Sequence, residues 1–256
     1  MTAPYRSVLV LPDIHVPLHD QKSLGAVLDY AREVRWDELV ILGDFLDLSM
    51  VSRFVVDFPR LRAGQTLRKD ADVGAEVLDA ILKAVRAKNK TAKATLLEGN
   101  HEFRITQMVD RTPELEGLVE VPRLLRLQER GVSWVPFWSK GSLYRVGKAH
   151  FAHGRWASKY HAAKHAAEMG CSLIYGHTHD VQVHSQVLLG DDSTIRATSL
   201  GCLCLYNQPY LKGAATRWQH AFGELQVFPD GLFQLNVVSL FRHRFVGPRT
   251  GRVYQR

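Results

Sequence analysis

Five short polar clusters carry the side chains in this chain that are best suited to bind metal ions. Each contains aspartate, asparagine or histidine, and the clusters are Asp13-Ile14-His15, Gly43-Asp44-Phe45-Leu46-Asp47, Gly99-Asn100-His101-Glu102, Ala152-His153-Gly154 and Gly176-His177-Thr178-His179. Hard divalent cations prefer oxygen and imidazole nitrogen, and two of them about 3.5 to 4 Å apart need a carboxylate that can bridge. Any one cluster alone is typical of a surface turn or a helix cap. Together they predict a site for two metal ions.

Three of the clusters follow short apolar runs of the kind that form buried parallel strands. The runs are residues 7–11, 39–42 and 94–97, and ligand-type residues follow each of them closely. Apolar residues at helical spacing lie between the runs, at 24–31 and at 73–85. A strand, helix, strand order implies parallel pairing, and open α/β sheets bind their ligands beyond the carboxyl ends of the strands. We therefore expect the clusters to meet at one rim of a sheet.

The second half of the chain has the pattern of short strands separated by glycine and proline turns. Strands are predicted at 132–135, 143–146, 150–152 and 172–175, with a helix at 158–169, and half-buried antiparallel strands at 182–189, 195–199, 222–228 and 233–239. The expected fold is α/β, a four-layer α/β/β/α sandwich of two mixed sheets flanked by helices. At 256 residues we expect one domain over 1–256, with a helical and loop insertion around 102–138 and a basic C-terminal arm at 240–256.

Composition and charge limit the function classes. The chain is 46% hydrophobic, has no run long enough for a membrane span or a signal peptide, and carries three cysteines without a disulfide or zinc pattern. A soluble, cytoplasmic protein is expected. Five arginines of the arm, Arg242, Arg244, Arg249, Arg252 and Arg256, supply most of the net charge of +7. They could neutralise nucleic-acid phosphates, or the arm could pack onto the domain through apolar residues such as Phe245 and Tyr254.

In their order and chemistry the five clusters resemble those of the calcineurin-like metallophosphoesterases, enzymes that hydrolyse phosphate esters with a dinuclear metal centre. The resemblance implies a ligand for every position of the dinuclear site. These are Asp13, His15 and His179 for one metal, Asn100, His153 and His177 for the other, and Asp44 as the bridge. It implies two divalent ions as cofactors. We expect Mn²⁺, because the shell contains oxygen and imidazole but no thiolate, with Fe, Ni or Zn as alternatives.

The resemblance also implies catalytic roles outside the ligand set. His101 would protonate or hydrogen-bond the leaving oxygen during in-line attack of a metal-bound hydroxide on phosphorus, and Asp47 would hold its other ring nitrogen. Arg104 would contact a phosphate oxygen of the substrate.

Departures from individual branches of the family bear on the substrate. The stretches His15-Val16-Pro17 and Asp47-Leu48-Ser49 differ from protein Ser/Thr phosphatases, whereas the Gly-His-Thr-His ending at His179 is similar to nucleases, cyclic-nucleotide phosphodiesterases and lipid-precursor pyrophosphatases. The chain as a whole looks like phosphoesterases of phage and bacterial genomes. We favour hydrolysis of nucleic-acid or nucleotide phosphodiesters, with DNA or RNA as a partner. The alternatives are a phosphatase acting on small phosphomonoesters or phosphoproteins, and a catalytically silent metal-binding scaffold.

Other conspicuous residues receive a structural interpretation. His161 and His165 lie four residues apart among basic side chains, which favours a solvated basic helix face. Cys202 and Cys204 alternate along the chain, so we expect their thiols on opposite faces and assign them no metal. The tryptophans are expected to pack in the core or in loops, and only Trp156 is expected to border the site.

Overall fold

Strand Arg6–Leu11 (β1) sends alternate side chains into two different cores. Leu9 and Leu11 pack against helices on one face, whereas Val8 and Val10 face a second sheet. This is why the run is apolar at nearly every position and shows no polar alternation.

The computed structural model describes residues 5–52, 63–187, 194–208, 211 and 213–256.

Twelve further strands follow β1 in the described residues. Their bounds in chain order, β2 to β13, are Glu38–Ile41, Lys93–Leu97, Val132–Val135, Tyr144–Val146, Ala149–Ala152, Leu173–Tyr175, Val181–Val187, Thr194–Leu200, Ala221–Val227, Phe233–Ser239, Arg244–Val246 and Val253–Gln255. Six α-helices lie among them in the described part of the chain. Their bounds, α1 to α6, are Gln21–Glu33, Leu67–Val85, Asn100–Arg111, Val121–Leu124, Phe137–Lys140 and His161–Met169. None of the helices in the described ranges is long and apolar enough to cross a membrane.

The strands form two mixed sheets. The first has six strands in the order β11-β10-β1-β2-β3-β4, with β1 to β4 parallel and with β10 and β11 antiparallel. The second has five strands in the order β5-β6-β7-β9-β8, with a parallel centre and an antiparallel strand at each edge. A separate hairpin pairs β12 with β13.

The two sheets pack face to face between layers of helices. Val40, Leu42 and Leu97 of the first sheet meet Phe151 and Ile174 of the second in a buried cluster. Helices α1 and α2 cover the outer face of the first sheet, and α6 covers the outer face of the second. The predicted α/β/β/α sandwich is confirmed.

Two segments are more closely joined to the fold than the sequence suggested. The predicted insertion at 102–138 is partly helical, but it also contains β4, which pairs in parallel with β3 as an edge strand of the first sheet. The C-terminal arm contains the β12–β13 hairpin, which is tied to α1 by ion pairs from Arg252 to Glu33 and from Arg256 to Asp29. The end of the predicted strand 182–189 lies outside the described residues.

Candidate metal centre

The predicted ligands lie on turns at facing rims of the two sheets. The loop after β1 carries Asp13 and His15, and the loop after β2 carries Asp44. Backbone hydrogen bonds join these two loops, since the His15 amide donates to the Asp44 carbonyl over 2.9 Å and the Val16 amide donates to the Phe45 carbonyl over 2.7 Å. The third cluster starts α3 at Asn100.

Five of the seven predicted ligands have a left-handed backbone conformation, which is uncommon for residues other than glycine. Their φ angles lie between 39° and 74°, and the residues are Asp13, His15, Asp44, His177 and His179. Strained backbone of this kind costs on the order of 1 kcal/mol or more per residue and is concentrated at functional sites in proteins. Here it turns the ligand side chains toward one point.

Two groups of side chains converge there and share Asp44. We call Asp13, His15, Asp44 and His179 the first group, and their candidate ligand atoms lie within 4.8 Å of one another. The Nε2 atoms of His15 and His179 are 3.1 Å apart, and His179 Nε2 is 3.2 Å from Asp13 Oδ1. Carboxylate oxygens and imidazole nitrogens thus point their electron pairs into one small space.

The second group consists of Asp44, Asn100, His153 and His177. The candidate ligand atoms of Asp44, His153 and His177 again lie within 4.8 Å of one another. His153 Nε2 is 3.2 Å from Asp44 Oδ2 and 3.0 Å from Asn100 Oδ1. A shared carboxylate between two such groups is the arrangement that a dinuclear centre requires.

The hydrogen bonds around the imidazoles fit bound cations. His153 Nδ1 lies 2.9 Å from the Leu42 carbonyl, to which it must donate, so Nε2 faces the oxygens of Asp44 and Asn100. Electron-pair donors in such contact repel each other unless a proton or a cation lies between them. Burial disfavours charge on His153, but the Asp44 carboxylate outweighs it and raises the pKa of His153 to about 9. The buried groups suit a dinuclear divalent metal site.

Glu102 organises the loops of the centre, a role that was not predicted from the sequence. Its buried carboxylate accepts three backbone hydrogen bonds of 2.8 to 2.9 Å, from Asp44, Leu46 and Gly99. Burial raises the pKa of Glu102 to about 7, and the negative charge of Asp44 acts in the same direction. The available signal was the glutamate three residues after Gly99, which is the spacing of a capping box at a helix N-terminus.

Two glycines allow the close approach of backbone to carboxylate at this site. A Cβ atom on Gly99 would collide with the Asp44 side chain, and one on Gly176 would collide with the Asp13 carboxylate. The His177 amide, which follows Gly176, donates to both oxygens of Asp13 over 2.9 and 3.0 Å. This contact joins the two sheets directly at the metal site.

The structure places His101 and Asp47 together but in a different way from the expected carboxylate contact. His101 Nδ1 is 2.6 Å from the main-chain carbonyl of Asp47 and 3.5 Å from its carboxylate. The carboxylate lies nearer to His15, at 3.2 Å from Nδ1. Arg104 donates through Nη1 to the same Asp47 carbonyl over 2.9 Å, so at least this nitrogen supports the turn.

The two cysteines behind the centre do not point to opposite faces, so that expectation was wrong. Cys202 and Cys204 are fully buried, their thiols contact each other, and Cys204 Sγ lies 4.0 Å from Nδ1 of His179. Isolated bridges pair Cys202 with His220 and His19 with Cys204. Residues two apart in an extended chain face the same side, so the expectation had misapplied the strand period.

The expected basic helix face was also wrong. His161 and His165 are 3% and 0% exposed. His165 stacks on Tyr175 with ring centroids 4.0 Å apart, and its Nε2 accepts from the Arg155 amide over 3.0 Å. His161 lies 2.9 Å from Asp180. The loop before α6 covers these imidazoles, which helical spacing alone does not reveal.

Two tryptophans that were expected only to pack contact the predicted ligands. Trp138 lies 5.7 Å from the His177 ring, and Trp218 meets the His179 ring edge-on at 4.3 Å between centroids. Trp156 lies instead against His165, at 4.8 Å. The indoles that border the centre are therefore Trp138 and Trp218.

Comparison with known proteins agrees with this fold and site. Residues 6–181 match the family model of the calcineurin-like phosphoesterases. The chain belongs to this family and is a metal-dependent phosphoesterase, a hydrolase of ester bonds. It is 26% identical to the Gene 54 protein of Mycobacterium phage D29 over 237 residues, covering 87% of this chain and 89% of that protein. The Gene 54 protein of phage L5 is also 26% identical, over 232 residues with the same coverage.

The solved structure of Vacuolar Protein Sorting 29 from Cryptosporidium parvum is similar in fold. It aligns with a TM-score of 0.50 at 13% identity and covers 99% of this chain and 98% of its own. At this identity the likeness concerns the fold alone.

Proposed function

We propose that this phosphoesterase hydrolyses phosphodiesters of nucleic acids or nucleotides at a centre for two divalent ions. Asp44 carries the proposal, because its carboxylate lies in both groups of converging ligand atoms. The first group would hold one ion and the second group the other. Manganese is our choice of metal, since both groups offer oxygen and imidazole. The three cysteines are free thiols, which suits the reducing environment of a cytoplasm.

Ions bound there would supply Lewis acidity to the phosphoryl oxygens and activate water as the nucleophile. Hydrolysis forms one P–O bond from water and breaks the P–O bond to the departing alcohol. The water loses a proton and the alcohol gains one. In the proposal His101 gives that proton from Nε2 as an imidazolium. Its contacts support this role, because the Asp47 carbonyl accepts from Nδ1 and Nε2 lies on the side of Asp44, at 3.7 Å from Oδ2.

In the proposal Asp47 and Arg104 position the residues around the metal centre. The Asp47 carboxylate orients His15, while its main-chain carbonyl holds both His101 and Arg104. A direct phosphate contact from Arg104 remains a prediction. Replacement by Lys tests it, because a lysine keeps the charge but loses the planar fork that binds two oxygens at once.

A substrate panel tests the proposed function. Manganese-loaded protein should hydrolyse bis-p-nitrophenyl phosphate and single-stranded DNA or RNA faster than p-nitrophenyl phosphate, and a chelator should abolish all these activities. A kcat/KM for the monoester that exceeds that for the diester would favour the phosphatase alternative.

Elemental analysis tests the centre independently of activity. We expect two ions per chain after manganese loading and a marked loss in Asp44→Ala, because this change removes a ligand from both groups. One ion per chain in the unmodified protein, with unchanged content in Asp44→Ala, would refute the bridging role.

A further inference from the structure

A further cluster of ligand-type side chains lies outside the proposed catalytic centre. Asp20, His220 and His243 each offer one atom to it, and these three atoms lie within 4.8 Å of one another. The residues come from separate parts of the fold. Asp20 caps α1, His220 immediately precedes β10, and His243 lies in the turn between β11 and β12. We call these three residues the hairpin cluster, because His243 directly precedes the β12–β13 hairpin.

His220 is held in the orientation of a metal-binding imidazole. Its Nε2 lies 2.8 Å from the Cys204 carbonyl, to which it must donate, and its ring stacks on Tyr206 with centroids 4.1 Å apart. Burial lowers the pKa of His220, although the hydrogen bond to the Cys204 carbonyl opposes the shift. The ring is therefore neutral at pH 7, and its Nδ1 carries a lone pair. Metal-binding histidines commonly donate their other ring nitrogen to a backbone carbonyl in this way.

The distances within the cluster fit a small cation with nitrogen and oxygen ligands. Ser23 Oγ lies 3.0 Å from Nδ1 of both His220 and His243. His243 Nδ1 lies 3.1 Å from Asp20 Oδ1. Ligands about 2.0 Å from a tetrahedral zinc ion are roughly 3.3 Å apart, so a small outward movement of these side chains would suffice. A cation would take the place of the proton that His243 otherwise shares with Asp20.

Charge and access also favour a cation at the hairpin cluster. The buried Asp20 carboxylate accepts from the Ser23 amide over 2.7 Å, which uses one of its roughly four lone-pair positions. The N-terminus of a helix carries about half a positive charge, which is less than the negative charge of this carboxylate. The His243 side chain is 35% exposed and gives a cation a route from the solvent.

The turn that carries His243 has an unusual sequence for its conformation. Phe241 and Arg244 exchange two backbone hydrogen bonds, so Arg242 and His243 form a two-residue turn between them. Both turn residues are left-handed, with φ angles of 51° and 61°, and turns of this type strongly prefer asparagine and glycine. Strained backbone is concentrated at functional sites in proteins. Here it holds an imidazole beside the Asp20 carboxylate.

We propose that Asp20, His220 and His243 bind one zinc ion, with the Ser23 hydroxyl nearest to the fourth position of the shell. Two imidazoles and a carboxylate suit zinc, which binds such ligands more tightly than manganese does. The ion would join the start of α1, the start of β10 and the C-terminal hairpin, so its role is structural. The site shares no ligand with the catalytic centre and does not depend on the proposed function.

The zinc content of the loaded and desalted protein tests the proposal. The wild type should hold one more zinc ion per chain than His243→Gln, because glutamine removes an imidazole from the shell. His184→Gln is the matched control, since His184 is also a partly exposed histidine but lies on β8 in the second sheet. It should keep the wild-type content. Equal zinc contents in His243→Gln and the wild type would refute the proposal, and so would an equal loss in His184→Gln.

Asp44→Ala separates this site from the proposed catalytic centre. The change removes the carboxylate shared by the two groups there, so the metal that it loses belongs to that centre. The zinc ion of the hairpin cluster should remain in Asp44→Ala and disappear when His243→Gln is added. If Asp44→Ala holds no zinc, the hairpin cluster is not a zinc site. If the wild type holds only the zinc ion that depends on His243, the catalytic centre is wrong and the hairpin cluster stands.

Thermal denaturation measures the structural role of the ion. Zinc should raise the melting temperature of Asp44→Ala, because an ion held between three parts of the fold binds the folded chain and not the unfolded one. The rise should be absent when His243→Gln is added. An equal rise in both variants would show that zinc stabilises the chain from another place and would refute the proposal.

Asp20→Asn supplies a second variant in case His243→Gln fails to fold. Asparagine can still cap α1 by accepting from the Ser23 amide, but it lacks the negative charge. In the Asp44→Ala background it should weaken zinc binding by about tenfold or more, as measured by titration calorimetry. An unchanged affinity would exclude the Asp20 carboxylate as a ligand and overturn the site.

Discussion

His101 is held differently from the predicted metal ligands. Its Nε2 lies 3.7 Å from Asp44 Oδ2, the same distance as Nε2 of the predicted ligand His15, so this distance does not distinguish it from the ligands. It belongs to neither group of atoms that shares Asp44. Its Nδ1 is fixed by a backbone carbonyl, and a main-chain acceptor cannot be removed by changing the Asp47 side chain.

We therefore expect His101→Ala to bind both metals and to lose on the order of 10²-fold or more in kcat. The loss should be smaller for p-nitrophenyl esters, because a good leaving group needs little protonation. Asp47→Asn should have a milder effect, since its carbonyl still holds His101. Kinetics on esters with poor and good leaving groups, together with elemental analysis, provide the measurement. An equal loss for both ester types would exclude the proton-donor role.

Glu102 determines the shape of the ligand loops without being a predicted ligand. Its three backbone hydrogen bonds need two acceptor oxygens, and glutamine offers only one. Glu102→Gln should therefore lower the free energy of unfolding by roughly 2 to 4 kcal/mol and weaken metal binding. The exposed Glu76→Gln on α2 is the control and should change neither quantity. Chemical denaturation and metal titration measure the effect, and wild-type behaviour of Glu102→Gln would contradict this role.

The interpretation of the C-terminal hairpin differs most between the sequence prediction and the structure. The guanidinium of Arg249 lies 4.3 Å above the Trp36 ring, with Nε 2.8 Å from the fully buried Glu224 carboxylate. Trp36 precedes β2, so this contact lies at the amino ends of the parallel strands, whereas the metal ligands follow their carboxyl ends. The arm was interpreted as a candidate nucleic-acid contact, and the structure gives several of its arginines partners within the fold.

Arg249→Gln should lower the free energy of unfolding by about 3 kcal/mol, because it leaves Glu224 buried without its counter-ion. Arg252→Gln breaks only the exposed pair with Glu33 and should cost less than about 1 kcal/mol. Urea denaturation of both variants measures the difference. The activity of the folded fraction on polynucleotides should stay at the wild-type level in both. A stable Arg249→Gln with weakened polynucleotide binding would restore the arm as a substrate contact.

Helix α6 carries the buried His165, whose protonation opposes folding. Burial lowers the pKa of His165 from an ordinary value of 6.5 to about 4. The hydrogen bond to the His161 carbonyl opposes this shift, and the electrostatic effects of His161 and Lys164 add to it. In the unfolded chain His165 is therefore protonated below about pH 6.5, whereas in the folded chain it is protonated only below about pH 4. Stability must fall as the pH is lowered through this window.

By pH 5 the loss from His165 should reach about 2 kcal/mol. His165→Phe keeps the ring stack on Tyr175 but cannot titrate. It should be less stable at pH 8, because the Arg155 amide loses its acceptor, and should show a shallower fall toward pH 5. Denaturation midpoints from pH 8 to 5 for both proteins measure the difference, and parallel curves would contradict it.

Local patterns predicted most of the strands and the turns that carry the polar clusters, since apolar runs and the turns after them depend on neighbouring residues only. Long-range pairing escaped the prediction. Nothing in residues 132–135 shows that β4 joins β3, and nothing around Ala162 shows that the loop after Gly154 covers α6. The thiols of Cys202 and Cys204 were assigned to opposite faces because the two-residue period of an extended chain was misapplied, since residues i and i+2 share a face. The contacts of the Asp47 carboxylate were also not predictable, because they depend on how two separate loops dock.

The two sheets meet at the proposed metal centre, so metal binding and global stability should be linked. Asp13, Asp44 and Asn100 come from the rim of the first sheet, and His153, His177 and His179 come from the rim of the second. Cations held between them would bind the folded chain and not the unfolded one. Manganese at 100 times its dissociation constant should then add about 2.7 kcal/mol for each independent site.

For a chain of this size the gain for one site corresponds to roughly 5 to 10 °C in melting temperature. Differential scanning calorimetry with and without manganese should show it, and a chelator should reverse it. Asp44→Asn weakens both groups at once and should abolish most of the increase, while Glu76→Gln should keep it. If two ions bind by elemental analysis but the melting temperature stays constant, the ions are not held between the sheets, and the assignment of ligands from both rims is wrong.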